Sequence, residues 1–269
     1  MTATNTLAIA GAAGRMGGAL IRCAMRSGTW TLTAALEQTG HDKLGENAGT
    51  SADAKGLDLT LTSDVGAALR NADALIDFSF HEAAPVHAEA AAQAGKAFVL
   101  GTTGLTDAEA ERVQAAARSI PLVWAPNMSL GVNLLFACLE KAGAVLQEGY
   151  RTEIDETHHI HKKDAPSGTA LQLGRKIAAG RQTEFDNAWV HDPEGAQGLT
   201  DPERIVIRSR RRGEVVGDHT AIFENEGERI EFTHRAWSRD AFALGALHAA
   251  AWALDRKPGL YDMQDVLGL

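Results

Sequence analysis

The sequence predicts an α/β protein: a Rossmann-like, doubly wound and mainly parallel sheet domain, joined to an α+β domain with a mixed sheet. Three observations predict it. Short apolar runs alternate with helix-length segments through the first half, the signature of βαβ units. The first run, TLAIAG (6–11), leads directly into a glycine-rich turn, GAAGRMG. Beyond residue 200, strand-like runs follow one another without helices, which implies an antiparallel or mixed sheet.

The elements follow in order. After TLAIAG, residues 15–27 place Met16, Leu20, Cys23 and Ala24 on one helical face. TLTAALE (31–37) reads as a second strand, and a polar, Gly-rich connection follows it. ALIDFS (74–79) is a buried-type strand, succeeded by an Ala-rich helix over 82–94. AFVLGTTG (97–104) and PLVWAPN (121–127) are further strands. The helix between them opens on Thr106 as N-cap with Glu109 three residues on. Next comes a long apolar helix (130–147), then the extended RTEIDETHH. RIVIRSRR, EVVGDHTAIFEN and ERIEFTHRA are successive strands, and AFALGALHAAAWALD is helical again. The expected division is a doubly wound domain over 1–128, an α+β domain over 129–237, and a segment 238–269 that returns to the first. The composition shifts place hinges near 127–130 and 236–241.

Composition narrows the function classes. With 269 residues, 45% hydrophobic and 23% charged, the chain has ordinary globular balance. A net charge of −9 and a pI near 5.6 exclude a general nucleic-acid binder, which needs a basic face. Cys23 and Cys138 sit in apolar helical stretches and read as small buried hydrophobes, not as a disulfide or zinc framework. The start MTATNTLAIAGAAG lacks the basic and long apolar regions of a signal peptide, and no run is long enough to span a membrane. A cytoplasmic protein is expected.

The glycine turn carries the first chemical signal. Gly11, Gly14 and Gly17 lie between a strand and a helix, with Ala12, Ala13, Arg15 and Met16 among them. Glycine permits a tight turn and close backbone approach, and the helix start presents amides and dipole to a pyrophosphate. Glu37 ends the second strand 20 residues beyond Gly17, where a carboxylate accepts from an adenosine ribose. Glycine spacing alone is weak evidence; its strand–turn–helix setting strengthens it. Gly101, Thr102 and Thr103, and Ala125, Pro126, Asn127 and Met128, stand at two later strand ends, where a doubly wound sheet binds ligands. A nicotinamide dinucleotide, NADH, NADPH or both once the resemblance below is added, is the expected cofactor.

The second signal is ETHHIHKKDAPSGTA (156–170), with three histidines and two lysines inside six positions. A metal site is disfavoured, because neighbouring side chains on an extended segment point to opposite faces and the lysines repel a dication. A solvated loop explains poorly the sequel DAPSGTA, where Pro166 and Ser167 open a helix with Asp164 or Ser167 as cap. Amides at Ser167, Gly168 and Thr169, with Lys162 or Lys163 beside them, suit a small carboxylate. A nearby histidine suits proton donation to a substrate facing a nicotinamide.

At this point GAAGRMG, GTTG, APNMSLGVN, HHIHKKDAPSGTA and RRGEVVGDHTAIF together resemble the dihydrodipicolinate reductase family, in order and spacing, over essentially the whole chain. The resemblance implies reduction of 4-hydroxy-tetrahydrodipicolinate to tetrahydrodipicolinate, with loss of water, on the diaminopimelate route to lysine. It implies His158 as proton donor or acceptor, Lys162 as the other catalytic group and His159 as a substrate contact. Gly168 and Thr169 would hold a substrate carboxylate, with no metal, in a homotetramer. The chain departs from the family pattern at Gln38 and Phe80, where arginines are common, which weakens a preference for NADPH. The competing expectations are another nicotinamide-dependent reductase of a small oxo or imino dicarboxylate, and a non-catalytic dinucleotide-binding protein.

Overall fold

The protein is represented by a computed structural model that describes residues 5–192 and 204–269. The first elements are β1 (Asn5–Ala10), α1 (Arg15–Ser27), β2 (Trp30–Leu36), α2 (Ala48–Ser51), β3 (Leu61–Thr62), α3 (Val65–Arg70), β4 (Ala74–Asp77), α4 (Ala84–Ala94), β5 (Ala97–Leu100), α5 (Asp107–Ala116) and β6 (Pro121–Trp124). Then come α6 (Leu130–Val145), β7 (Arg151–His158), α7 (Gly168–Arg181), α8 (Phe185–Ala188), β8 (Trp189–His191), β9 (Ile205–Arg211), β10 (Gly217–Glu224) and β11 (Arg229–Ala236). The chain ends with α9 (Asp240–Ala253), β12 (Gly259–Tyr261) and α10 (Met263–Leu267). Contacts divide it into two compact units: Met1–Leu130 with Arg239–Gly268, and Gly131–Ser238 with Leu269.

The first unit is built on seven parallel strands in the order β12-β6-β5-β4-β1-β2-β3. Strand residues alternate between two cores, as period-two geometry requires. Leu7 and Ile9 of β1 join a cluster with α1 and α9, whereas Ala8 and Ala10 join one with α4 and α5. Both faces are thereby covered, which is why the strands read as continuous apolar runs. The order reverses at β1, which pairs with both β2 and β4; doubly wound sheets open a ligand crevice at such a point.

The expected capping box is present: Thr106 accepts from the Glu109 amide, and Glu109 reaches back to the Thr106 amide. The strand expected over 74–79 stops at Asp77, because its carboxylate accepts the Ser79 amide at 2.8 Å and turns the chain. The connection after β2 is less plain than its sequence, holding α2, β3 and α3. These pieces are too short to show a period.

The second unit has the mixed five-stranded order β11-β10-β7-β9-β8. β10 is antiparallel to β7 and β11, while β9 runs parallel to β7 and β8. Val132, Leu135, Phe136 and Leu139 of α6 and Leu173 and Ile177 of α7 pack on Ile154, Ile207, Ala221 and Phe223 of the sheet. Among the described residues, no helix is long and apolar enough to cross a membrane.

Candidate active site

In the first unit the glycine turn is folded tightly under the end of β4. Gly11 has φ +74°, and a Cβ there would lie 2.4 Å from the Phe78 carbonyl oxygen. A Cβ on Gly17 would come within 2.2 Å of the Gly11 oxygen, so the helix can meet the turn only without a side chain. Gly14 caps α1 with no side-chain hydrogen bond, leaving the helix start uncovered by any capping group. A cavity of about 480 Å³ opens there, lined by Gly14, Arg15, Met16, Phe78–His81, Gly101, Thr102, Thr103 and Arg239. A second, of about 330 Å³, is lined by Gly11, Ala13, Gly14, Glu37, Gln38, His41, Phe78, Ser79, Phe80 and His87, among others. Glu37 is fixed beside the turn, accepting the Ala13 amide at 3.1 Å and the Gln38 amide at 3.0 Å. Adjoining cavities against a bare helix start and a fixed carboxylate fit a dinucleotide.

Not every expected cofactor residue is brought there. Ala12 is buried, its amide bound to the Leu36 carbonyl at 3.0 Å. Ala125 and Met128 belong to the core, Pro126 is exposed, and Asn127 accepts the Ser129 amide at 2.9 Å. None of these lines either cavity.

In the second unit the site is made by sheet register. Along β7 the inward positions are Thr152, Ile154, Glu156 and His158, so Glu156 and His158 share the helix-covered face. Glu156 is paired across the ladder with His219 on β10, and His158 with Arg211 on β9. Glu156, His158 and His219 are all buried. Glu156 Oε1 accepts the Ser167 amide at 3.1 Å and Arg211 Nη1 at 3.3 Å, while Oε2 lies 2.5 Å from His158 Nδ1. That last contact is close but off the hydrogen-bonding axis, since neither atom gains an aligned partner. Burial pushes the Glu156 carboxyl up, but His158, Ser209 and Arg211 outweigh it and bring it down to about 2. Burial, helped by the neighbouring His158, lowers His219 to about 3, so it stays neutral. A Cβ on Gly217 would lie 3.1 Å from His158 Nε2, so the glycine makes room for the ring. Donor atoms of Glu156, His158 and His219 lie within 4.8 Å of one another, a donor set that suits zinc. Arg211 and the Ser167 amide meet one Glu156 carboxylate oxygen and His158 the other, so the carboxylate is paired with the Arg211 guanidinium.

The loop after β7 is stapled to this cluster. Arg211 donates through Nε to the Lys162 carbonyl at 3.2 Å and through Nη2 to the Asp164 carbonyl. Lys162 Nζ bonds both Asp164 carboxylate oxygens, at 2.8 and 2.7 Å. His159 is half-buried, its ring 6.0 Å from that of His161. Ser167 is the N-cap of α7, accepting the Ala170 amide at 3.1 Å. It faces inward: its amide serves Glu156 and its hydroxyl lies 3.3 Å from His219 Nε2. The accessible start of α7 is therefore Gly168 and Thr169, with open space beside Gly168. Of the two candidate caps, Ser167 takes the role.

Sequence reasoning missed Glu156, Arg211 and His219 here, and Asp77, His81, His87 and Arg239 in the first unit. Glu156 was signalled by its spacing of two from His158; the others depend on strand register or on loops meeting at a sheet edge.

Residues 5–128 match the family "Dihydrodipicolinate reductase, N-terminus", and residues 131–267 match "Dihydrodipicolinate reductase, C-terminus". The 4-hydroxy-tetrahydrodipicolinate reductase of Thiobacillus denitrificans is 48% identical over 98% of each chain. That of Syntrophotalea carbinolica is 45% identical, again over 98% of each. Among solved structures, dipicolinate-bound dihydrodipicolinate reductase from Paenisporosarcina sp. TG-14 superposes with TM-score 0.78 at 22% identity, covering 98% of this chain and 99% of the other.

Proposed function

The chain belongs to the dihydrodipicolinate reductase family, and we propose that its two units divide the reaction between cofactor and substrate. The reaction is the nicotinamide-dependent reduction of 4-hydroxy-tetrahydrodipicolinate to tetrahydrodipicolinate, on the diaminopimelate route to lysine. The residues proposed to hold the dinucleotide are Gly11, Ala13–Met16, Glu37 and Gly101–Thr103. When bound, its nicotinamide supplies the hydride.

The protein supplies charge and a proton. The start of α7 at Gly168 and Thr169 holds a substrate carboxylate through backbone amides and dipole, and His159 contacts the substrate. His158 and Lys162 deliver the proton and stabilise developing negative charge. Glu156 fixes the His158 ring, and Arg211 ties the Lys162 loop to Glu156. The observation that carries this reading is the Glu156–His158 pair, buried in the cluster that also binds the amide of Ser167 at the head of α7. The related structure bound to dipicolinate, a cyclic dicarboxylate, supports the substrate class. Following cofactor oxidation by absorbance on freshly generated substrate tests it, and folded protein without turnover would overturn it.

NADH is proposed to serve at least as well as NADPH. Glu37 is held by two backbone amides, and among the described residues no lysine or arginine lines the cavity around it, so a 2′-phosphate would meet a carboxylate and no lysine or arginine. Gln38 and Phe80 stand where arginines would help, and Phe80 instead packs on His81 at 4.3 Å. A homotetramer through the face of the five-stranded sheet opposite α6 and α7, in the cytoplasm, completes the proposal; light scattering on the purified protein checks the assembly.

A further inference from the structure

Asp77 has no part in the proposed reaction, yet its carboxylate meets four hydrogen-bonding groups. It is the last residue of β4 and is completely buried. Its Oδ1 accepts the Ser79 amide at 2.8 Å, the Ser79 hydroxyl at 2.7 Å and the Thr102 hydroxyl at 2.7 Å. Its Oδ2 lies 2.6 Å from His87 Nδ1 on α4, and its backbone carbonyl accepts the Gly101 amide at 2.9 Å. One residue thus joins the end of β4, the loop after it, the loop after β5 and a helix. Ser79 and Thr102 line the larger cavity, and Ser79 and His87 the smaller. The two loops interlock as well: a Cβ on Gly101 would lie 2.3 Å from the Phe78 ring.

Burying a carboxylate is costly, and a packed apolar residue would stabilise the strand end more simply. Here burial pushes the Asp77 pKa up, but His87 and the two Ser79 donors outweigh it and hold the group ionised below its ordinary value. All its side-chain partners come from the walls of the cavities. We propose that Asp77 is a positioning residue for the cofactor. Its carboxylate, bonded to Ser79, Thr102 and His87, sets the distance between the 78–81 and 101–103 loops so that Ser79 and Thr102 meet a dinucleotide in place. This inference rests on the reading of the first unit as the dinucleotide-binding part.

NADH titration followed by its fluorescence, with steady-state kinetics, tests it on the wild type, Asp77→Asn, Thr102→Val, His87→Leu and His87→Gln. Asp77→Asn keeps the shape but removes the charge; it should weaken NADH binding and raise KM for NADH about 10-fold, as loss of a charged hydrogen bond predicts. KM for 4-hydroxy-tetrahydrodipicolinate should stay within about twofold. Thr102→Val should shift in the same direction by less, and His87→Gln, which retains a donor, should recover much of what His87→Leu loses. Asp77→Asn with wild-type NADH affinity overturns the proposal, as does an equal rise in both KM values. If Asp77→Asn does not fold, wild-type affinity in both Thr102→Val and His87→Leu overturns it just as surely. Wild-type protein that fails to bind NADH at all would instead overturn the dinucleotide reading beneath it.

Discussion

Each unit ends a strand near a buried carboxylate with a histidine against it, but the two clusters are finished differently. Around Asp77 both carboxylate oxygens have aligned partners, three on one and His87 on the other. Around Glu156 one oxygen is satisfied, whereas Oε2, His158 Nδ1 and His219 Nδ1 are buried without an aligned hydrogen bond. A buried polar atom lacking a partner costs roughly 1–3 kcal/mol, so a fold keeps it only under some other constraint. In the proposed division, the Asp77 cluster holds loops still and the Glu156 cluster fixes the His158 ring, whose Nδ1 lies 2.5 Å from Glu156 Oε2. On this proposal, satisfaction of hydrogen bonds separates a positioning site from a chemical one.

That contrast predicts effects of different kind and size. The largest come from removing the groups proposed to react: His158→Ala or Lys162→Ala should lower kcat by about 10²–10⁴-fold, with NADH affinity within about twofold in binding titrations. Next, Glu156→Gln should lower kcat by about 10–100-fold without raising KM for NADH, the opposite of the Asp77→Asn pattern. If both variants disturb the same kinetic constant, the division between the clusters is wrong.

A smaller effect appears in stability against pH. Folded His219 has its pKa lowered to about 3 from 6.5, so below 6.5 the unfolded chain takes up a proton that the folded chain refuses. Stability should fall as pH drops through that window, by about 1 kcal/mol at pH 5.5. Glu156, lowered from 4.5 to about 2, adds a further loss only below 4.5. Asp77 is also lowered, from 3.8, so it contributes nothing to the slope at pH 5.5. Chemical denaturation of wild type and His219→Gln at pH 7.5 and 5.5 checks this, the variant showing the shallower loss. Smallest of all, Gln38→Arg should improve use of NADPH relative to NADH several-fold, read as the ratio of kcat/KM values.

The sequence carried the parts that depend on local pattern. The glycine turn, the Thr106–Glu109 cap and the strands at 74, 97 and 121 follow from periodicity and turn chemistry, and they appear at those places. The two-residue β3 and three-residue β8 and β12 lie below the length at which period two is visible. In the second unit, the histidine–lysine run was plain, but its support was not. His219 is 63 residues from Glu156 (219 − 156) and reaches it only through the β7–β10 register. Ser167 illustrates the same limit: its type marks a helix start, but only the fold turns its amide toward Glu156.

The most direct test is a single-turnover measurement of NADH oxidation with excess enzyme and freshly generated 4-hydroxy-tetrahydrodipicolinate, comparing wild type with Lys162→Ala. The variant should bind NADH as the wild type does and consume it at least about 100-fold more slowly. Consumption at the wild-type rate, or a matching loss of NADH binding, would contradict the assignment of cofactor to the first unit and chemistry to the second.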